Sequence, residues 1–167
     1  EERIRFMARY DSLTGLPNRA YFHELVSEFV SSGDRERQVG LAVFDLDDFK
    51  SVNDTLGHPV GDGLIYAVAE RLSRFASEDV KVSRFGGDEF MIFFNDVKEP
   101  ETFSCTLDGI FRSLAGDVDV AGHALRIQAS AGAVLAQART ADVDAMIVKA
   151  DLALYKAKEN GKNGWRL

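Results

Sequence analysis

The residues best placed to do chemistry are Asp88 and Glu89, adjacent carboxylates that follow Gly86-Gly87 at a bend between two strand-like runs. The run before the bend, Val80-Lys81-Val82-Ser83-Arg84-Phe85, alternates in polarity. The run after it, Phe90-Met91-Ile92-Phe93-Phe94, is continuously apolar, so the pair reads as a β-hairpin closed by Gly-Gly. Glycines there supply the positive φ angles of a tight bend and, lacking Cβ, let a ligand approach the backbone. Taken alone, the bend is more simply a turn with solubilising acids. Its company changes that reading. Upstream, Val39-Gly40-Leu41-Ala42-Val43-Phe44 has buried-strand character and ends abruptly in Asp45-Leu46-Asp47-Asp48-Phe49-Lys50. Strand side chains alternate, so Asp45 and Asp47 share a face where the chain leaves the sheet. Acids this close repel one another until a cation, a basic side chain or water settles them, and Asp47 or Asp48 could equally start a helix. If Asp45 lies beside Asp88 and Glu89, the group is a hard-oxygen site suited to Mg2+ carried in by a polyphosphate.

The elements that must position these acids follow from periodicity. Arg3 to Tyr10 reads as the tail of an incoming helix, Thr14 to Asn18 as a loop, and Arg19 to Ser31 as a helix with Phe22, Leu25, Val26, Phe29 and Val30 on one face. After the Asp45 strand, a short helix is expected over Asp48 to Thr55. Gly57-His58-Pro59 breaks it, and a second helix runs from about Val60 to Ala76. Phe103, Leu107, Ile110, Phe111 and Leu114 mark another helix, and the stretches 118–120 and 124–128 read as a hairpin around Ala121-Gly122-His123. A strand from Ser130 to Leu135 and a long helix from about Ala141 to Glu159, capped near Gly161, complete the chain. Strands and helices mix without βαβ repetition. The fold class is therefore α+β: a single domain with a sheet of about five strands, at least partly antiparallel, surrounded by helices. The aromatic side chains, Trp165 included, read as core.

Composition bounds the answer less tightly. The 167 residues are 46% hydrophobic, enough for one real core, and the net charge of −7 argues against a nucleic-acid platform. The single cysteine, Cys105, permits no internal disulfide, and His23, His58 and His123 offer no zinc spacing, which suits a reducing, cytoplasmic compartment. No apolar run approaches the roughly 18 residues of a membrane span, so no direct membrane contact is expected. The opening Glu1 leads us to expect a domain excised from a longer protein. No P-loop or dinucleotide fingerprint and no nucleophile elbow appears.

In five separate segments the chain resembles the GGDEF domain, the diguanylate cyclase family. They are Asp11-Ser12-Leu13-Thr14-Gly15-Leu16-Pro17-Asn18-Arg19, the stretch from Asp45 to Asp62, Arg84 to Phe90, Ser130-Ala131-Gly132, and Ala150-Asp151-Leu152-Ala153-Leu154-Tyr155-Lys156-Ala157-Lys158 running on to Gly161-Lys162-Asn163. The resemblance implies a palm-like nucleotidyl cyclase fold over 11–167, with 1–10 as the end of an incoming signalling helix. It also implies condensation of two GTP into cyclic di-GMP and pyrophosphate across a homodimer, with fused sensor or effector domains as partners. Asp45, Asp88 and Glu89 match the family's metal-binding carboxylates, with the Leu46 carbonyl as a backbone ligand. The ions would be two Mg2+ per active site, or Mn2+ in their place. Asp88 and Glu89 match the catalytic acids, and Gly86 and Gly87 the turn that lies against the nucleotide. Asn53 and Asp62 match the pair that reads guanine, whose N1 proton and 2-amino group a carboxylate can accept from while adenine has neither donor there. Phe49 and Lys50 match the amides that cradle phosphate, and Lys158 and Lys162 the basic pair at the triphosphate. The second of these is usually Arg in the family, and Lys162 keeps the charge without the bidentate fork. Each also has a plain reading: Asn53 as a surface helix residue, Asp62 as an acid near a helix N-terminus, the lysines as solvated charges near a helix C-terminus. Ser77 and Val80 stand where many members carry a product-binding Arg-x-x-Asp, so no primary product-inhibition site is expected. A GTP-binding module without turnover, regulating a fused effector such as a cyclic di-GMP phosphodiesterase, is the alternative function.

Overall fold

The computed structural model describes residues 8–167. The expected incoming helix at 3–10 therefore lies mostly outside the described residues. Among those described, Ala8 and Arg9 are helical and Tyr10 bridges Pro17.

The chain builds its sheet around strand β1 (Gln38–Leu46). Antiparallel to it lie β3 (Glu89–Val97) on one side and β6 (Ala129–Gln137) on the other. Strand β2 (Val80–Gly86) pairs antiparallel with β3, and β7 (Trp165–Arg166) runs parallel to β6. The order β2-β3-β1-β6-β7 is a five-stranded mixed sheet, as the sequence led us to expect. Helices α1 (Arg19–Val30), α2 (Phe49–Leu56), α3 (His58–Ser73), α4 (Pro100–Leu114) and α5 (Val143–Glu159) surround it, and β4 (Asp117–Val120) and β5 (His123–Arg126) form a separate hairpin.

Both faces of the sheet are covered, which is why β1 and β3 read as unbroken apolar runs. Ala42, Phe44 and Leu46 of β1 pack with Phe90, Ile92 and Phe94 of β3 beneath Leu64, Ile65 and Leu72 of α3 and Leu107 and Ile110 of α4. Val39, Leu41 and Val43 alternate to the opposite face, joining Met91 and Phe93 under Phe22 and Val26 of α1 and Met146, Ala150 and Leu154 of α5. The same alternation carries Asp45 and Glu89 onto the α1/α5 face. That parity decides which helix can supply them with a counter-charge.

Three local expectations need correcting. The hairpin is not closed by Gly86-Gly87: a register shift between Arg84 and Gly86 draws Gly86 into β2, and the turn residues are Gly87 and Asp88. Glu89 consequently belongs to β3 and is half-buried. His58 and Pro59 do not separate the two helices but open α3, with Pro59 in its first turn, where the missing N–H costs nothing. Gly57 alone makes the break, at φ 92° and ψ 161°. Strand β7 was read only as core aromatic. Trp165 does pack against the apolar cluster, and its indole N–H donates to Asp108 at 2.8 Å.

Candidate active site

The end of β1, the β2–β3 turn, the start of β6 and the C-terminal end of α5 converge at one end of the sheet. Asp45 stands opposite Glu89 in the β1–β3 ladder and opposite Ser130 in the β1–β6 ladder. One residue on, the Leu46 amide donates to the Asp88 carbonyl at 3.3 Å, which ties the turn to the strand end. The Asp88 carboxyl lies close enough to that of Asp45 for the two to perturb each other's ionisation. Acids from two distant stretches thus meet at the β1–β3 ladder.

The three acids of the strand end find three different partners. Lys158, reaching from α5, pairs with Asp45 Oδ2. Asp47 accepts from the Ser130 hydroxyl at 2.8 Å and from the Asn163 amide at 2.9 Å, so it anchors the turn after α5. Asp48 precedes α2 in a left-handed conformation with no side-chain cap, and its carboxylate meets Lys162 at 3.3 Å in the open. Burial of Lys158 works against its charge, but the Asp45 hydrogen bond and the surrounding acids outweigh this and hold its pKa above the usual lysine value.

Burial and the neighbouring Asp45 carboxylate push the Asp88 pKa up to about 7. Glu89 is raised by burial and by the charges of Asp151 and Asp45, against Arg19 and Lys158. A raised carboxylate pKa means the folded state holds a proton that the unfolded chain has lost, so stability falls as pH climbs from about 4 to about 7. We therefore expect Asp88→Asn, which keeps the side chain's size and removes its charge, to melt about 2–4 °C above wild type at pH 8 without divalent ions. Melting curves should show the gap closing towards pH 4. A gap independent of pH would refute the assignment.

The donor set fits a hard cation brought by a phosphate. Asp45 Oδ1 is buried with no hydrogen-bond partner, an orphan that a divalent ion satisfies. Among the described residues, no group of three His, Cys, Asp or Glu side chains could hold a metal ion. Two carboxylates suit Mg2+, which keeps water and takes phosphate oxygens for its remaining ligands.

Beside these acids, the first N–H groups of α2, at Phe49 and Lys50, have no acceptor within their own helix. Asn53 on α2 also leaves a buried Oδ1 without a partner. Gly61 of α3 lies so close that a Cβ there would sit 1.8 Å from that oxygen. Sequence reasoning missed Gly61, although a glycine inside a helix signals close approach. Asp62, the next residue, is exposed. Gly86 and Gly87 have positive φ, 126° and 51°, and open space where a Cβ would stand. Also missed was the clamp behind the turn. Arg84 donates to both Asp11 oxygens, at 3.2 and 3.1 Å, and to the Gly87 carbonyl at 2.7 Å. Burial opposes the Asp11 charge, but Thr14 and Arg84 more than compensate and lower its pKa.

The comparisons with known proteins agree with this geometry. The family model described as "Diguanylate cyclase, GGDEF domain" matches residues 8–164. Bifunctional diguanylate cyclase/cyclic di-GMP phosphodiesterase MucR of Pseudomonas aeruginosa is 32% identical over 95% of this chain, which spans 23% of that protein's length. Diguanylate cyclase DgcP of Escherichia coli is 34% identical over 90% of the chain and 44% of its own length. Among solved structures, a variant of P. aeruginosa TpbB (YfiN) comprising only the GGDEF domain superposes with TM-score 0.86 at 31% identity, covering 95% of this chain and 93% of that one. The coiled coil and GGDEF domain of DgcB from Caulobacter crescentus, in complex with c-di-GMP, gives 0.87 at 28% identity, covering 98% and 88%. A family model that spans residues 8–164, with a solved GGDEF domain superposing at TM-score 0.86 and 31% identity, leaves one assignment: the chain belongs to the GGDEF family of diguanylate cyclase domains.

Proposed function

We propose that this domain is an active diguanylate cyclase that condenses two GTP into cyclic di-GMP and two pyrophosphates, with each half of a homodimer presenting one nucleotide. The observation that carries the proposal is the meeting of Asp45 and Asp88 around the orphaned Asp45 Oδ1, with Lys158 at the same carboxylate. Phosphoryl transfer needs charge neutralisation and in-line positioning more than covalent help. Bound with GTP, Mg2+ would neutralise the charge that develops on the phosphates. Asp45, Asp88 and the Leu46 carbonyl would hold that ion, and Glu89 would take part in holding it or receive the proton of the attacking 3′-hydroxyl. Phe49, Lys50, Lys158 and Lys162 bind phosphate. Asn53, whose Oδ1 lacks a partner, and Asp62 accept from the guanine edge.

No helix among the described residues is long and apolar enough to cross a membrane, in keeping with a cytoplasmic domain. Fused sensor or effector domains fit relatives of which this chain spans about a quarter or less. Ser77 and Val80, the first residue of β2, flank the bend at 78–79, the Ser77 amide donating to the Val80 carbonyl at 3.0 Å. We propose that no primary product-inhibition site exists there, and a tight cyclic di-GMP complex on residues 77–80 would refute this.

Incubation with GTP and Mg2+ under conditions that promote dimers, followed by chromatography, should yield cyclic di-GMP. GTP binding by a proven dimer without product would replace this reading with that of a regulatory GTP-binding module. One relative favours that second reading: cyclic di-GMP phosphodiesterase NbdA of P. aeruginosa, 36% identical over 96% of this chain, is named for the opposite activity.

A further inference from the structure

Lys158 and Lys162 are held in different ways. The Lys162–Asp48 pair is solvated, with side chains 48% and 64% exposed, whereas Lys158 and Asp45 are 35% and 21% exposed. Asp45 thus presents one oxygen to a fixed ammonium, while the other is buried and unpartnered. A divalent cation arriving alone meets a carboxylate already paired with a positive charge, and like charges in a half-buried site repel strongly. Turning the ammonium out into water relieves the repulsion but gives up a charge-assisted hydrogen bond. A triphosphate arriving with the ion removes this conflict, because its oxygens offer the ammonium a new anionic partner within reach of the same flexible stem.

We infer that Lys158 makes the metal and the nucleotide bind as one. It holds Asp45 when the site is free of nucleotide, bars a bare divalent ion, and transfers to phosphate oxygens when the ion comes in already bound to them. The inference rests on the proposed reading of this site as one for a metal and a nucleoside triphosphate. Because coupling between two ligands is reciprocal, the nucleotide raises the affinity for the ion by the same factor that the ion raises it for the nucleotide. The domain accordingly ignores free Mg2+ and responds to the metal–nucleotide complex.

The test counts free Mn2+ by electron paramagnetic resonance in titrations of the intact chain, with and without guanosine 5′-[β,γ-imido]triphosphate. We expect Lys158→Met to bind Mn2+ alone roughly tenfold or more tightly than wild type. The enhancement given by the analogue should shrink by a similar factor. Lys158→Arg, which keeps the charge, should behave as wild type, and adding Asp45→Asn to Lys158→Met should abolish the gain, which locates the ion. Lys158→Gln serves should Lys158→Met melt early. Unchanged affinity for Mn2+ alone in a folded, neutral variant overturns the inference and leaves the cyclase reading standing. Failure of the wild type to bind Mn2+ with the analogue overturns both.

Discussion

Replacing Glu89 by Gln lowers conversion of GTP to cyclic di-GMP by about 10²- to 10⁴-fold, the range of a lost general acid or base, while the melting temperature stays level or rises slightly. The side chain stands opposite Asp45 in the ladder, on the α1/α5 face, where burial and the charges of Asp151 and Asp45 already disfavour its ionised form. Gln keeps the volume and polarity and removes only the charge, so the fold loses a repulsion rather than a contact. Placement in β3 rather than on the turn sharpens the expectation. A strand residue locked between two ladders cannot be replaced in its role by a neighbour swinging in. Calorimetric titration with GTP and Mg2+ should show affinity changed by far less than turnover, since the charge acts in the transition state more than in binding. Turnover near the wild-type level in a folded dimer removes Glu89 from the mechanism.

What the sequence disclosed and what it concealed divide along the range of the interactions. That Asp45 and Asp47 share a face follows from strand alternation, a local rule, and the apolar runs of β1 and β3 told of a doubly covered sheet. The closure of the hairpin differs from the local reading by one residue, because the register shift falls at Arg84, whose guanidinium is bound to Asp11, 73 positions away, as well as to the Gly87 carbonyl. Strand β7 has two residues and no period to read. It lies where it does because Asp47, just past the end of β1, holds the Asn163 amide two residues before Trp165 pairs along β6. The pairing of Lys158 with Asp45 joins residues 113 positions apart, and only the resemblance brought them together beforehand. Asp11 and Arg84 lay inside the resembling segments, yet nothing local predicts that one clamps the other.

Gly132→Ala should lower stability by about 3 kcal/mol or more, the upper range for overpacking, and the melting temperature by about 10 °C. Gly132 sits in β6 opposite Val43 of β1 and Arg166 of β7. A Cβ there would lie 2.0 Å from the Ala150 carbonyl oxygen and 2.2 Å from the Leu154 amide nitrogen. These are backbone atoms of α5, which cannot turn aside as a side chain can, so the helix itself must move off the sheet. Ala150 and Leu154 belong to the apolar cluster on that face, and lifting them opens it. The same displacement carries Lys158 away from Asp45, so the variant should also lose nucleotide affinity at a temperature where it remains folded. Gly122→Ala supplies the control. Its φ of +83° strains any side chain, but no atom stands within 4 Å of the added carbon, and about 1 kcal/mol of backbone cost is all that is expected. If the two variants melt alike, α5 is not seated on β6 through Gly132, and the route by which Lys158 reaches the acids loses its support.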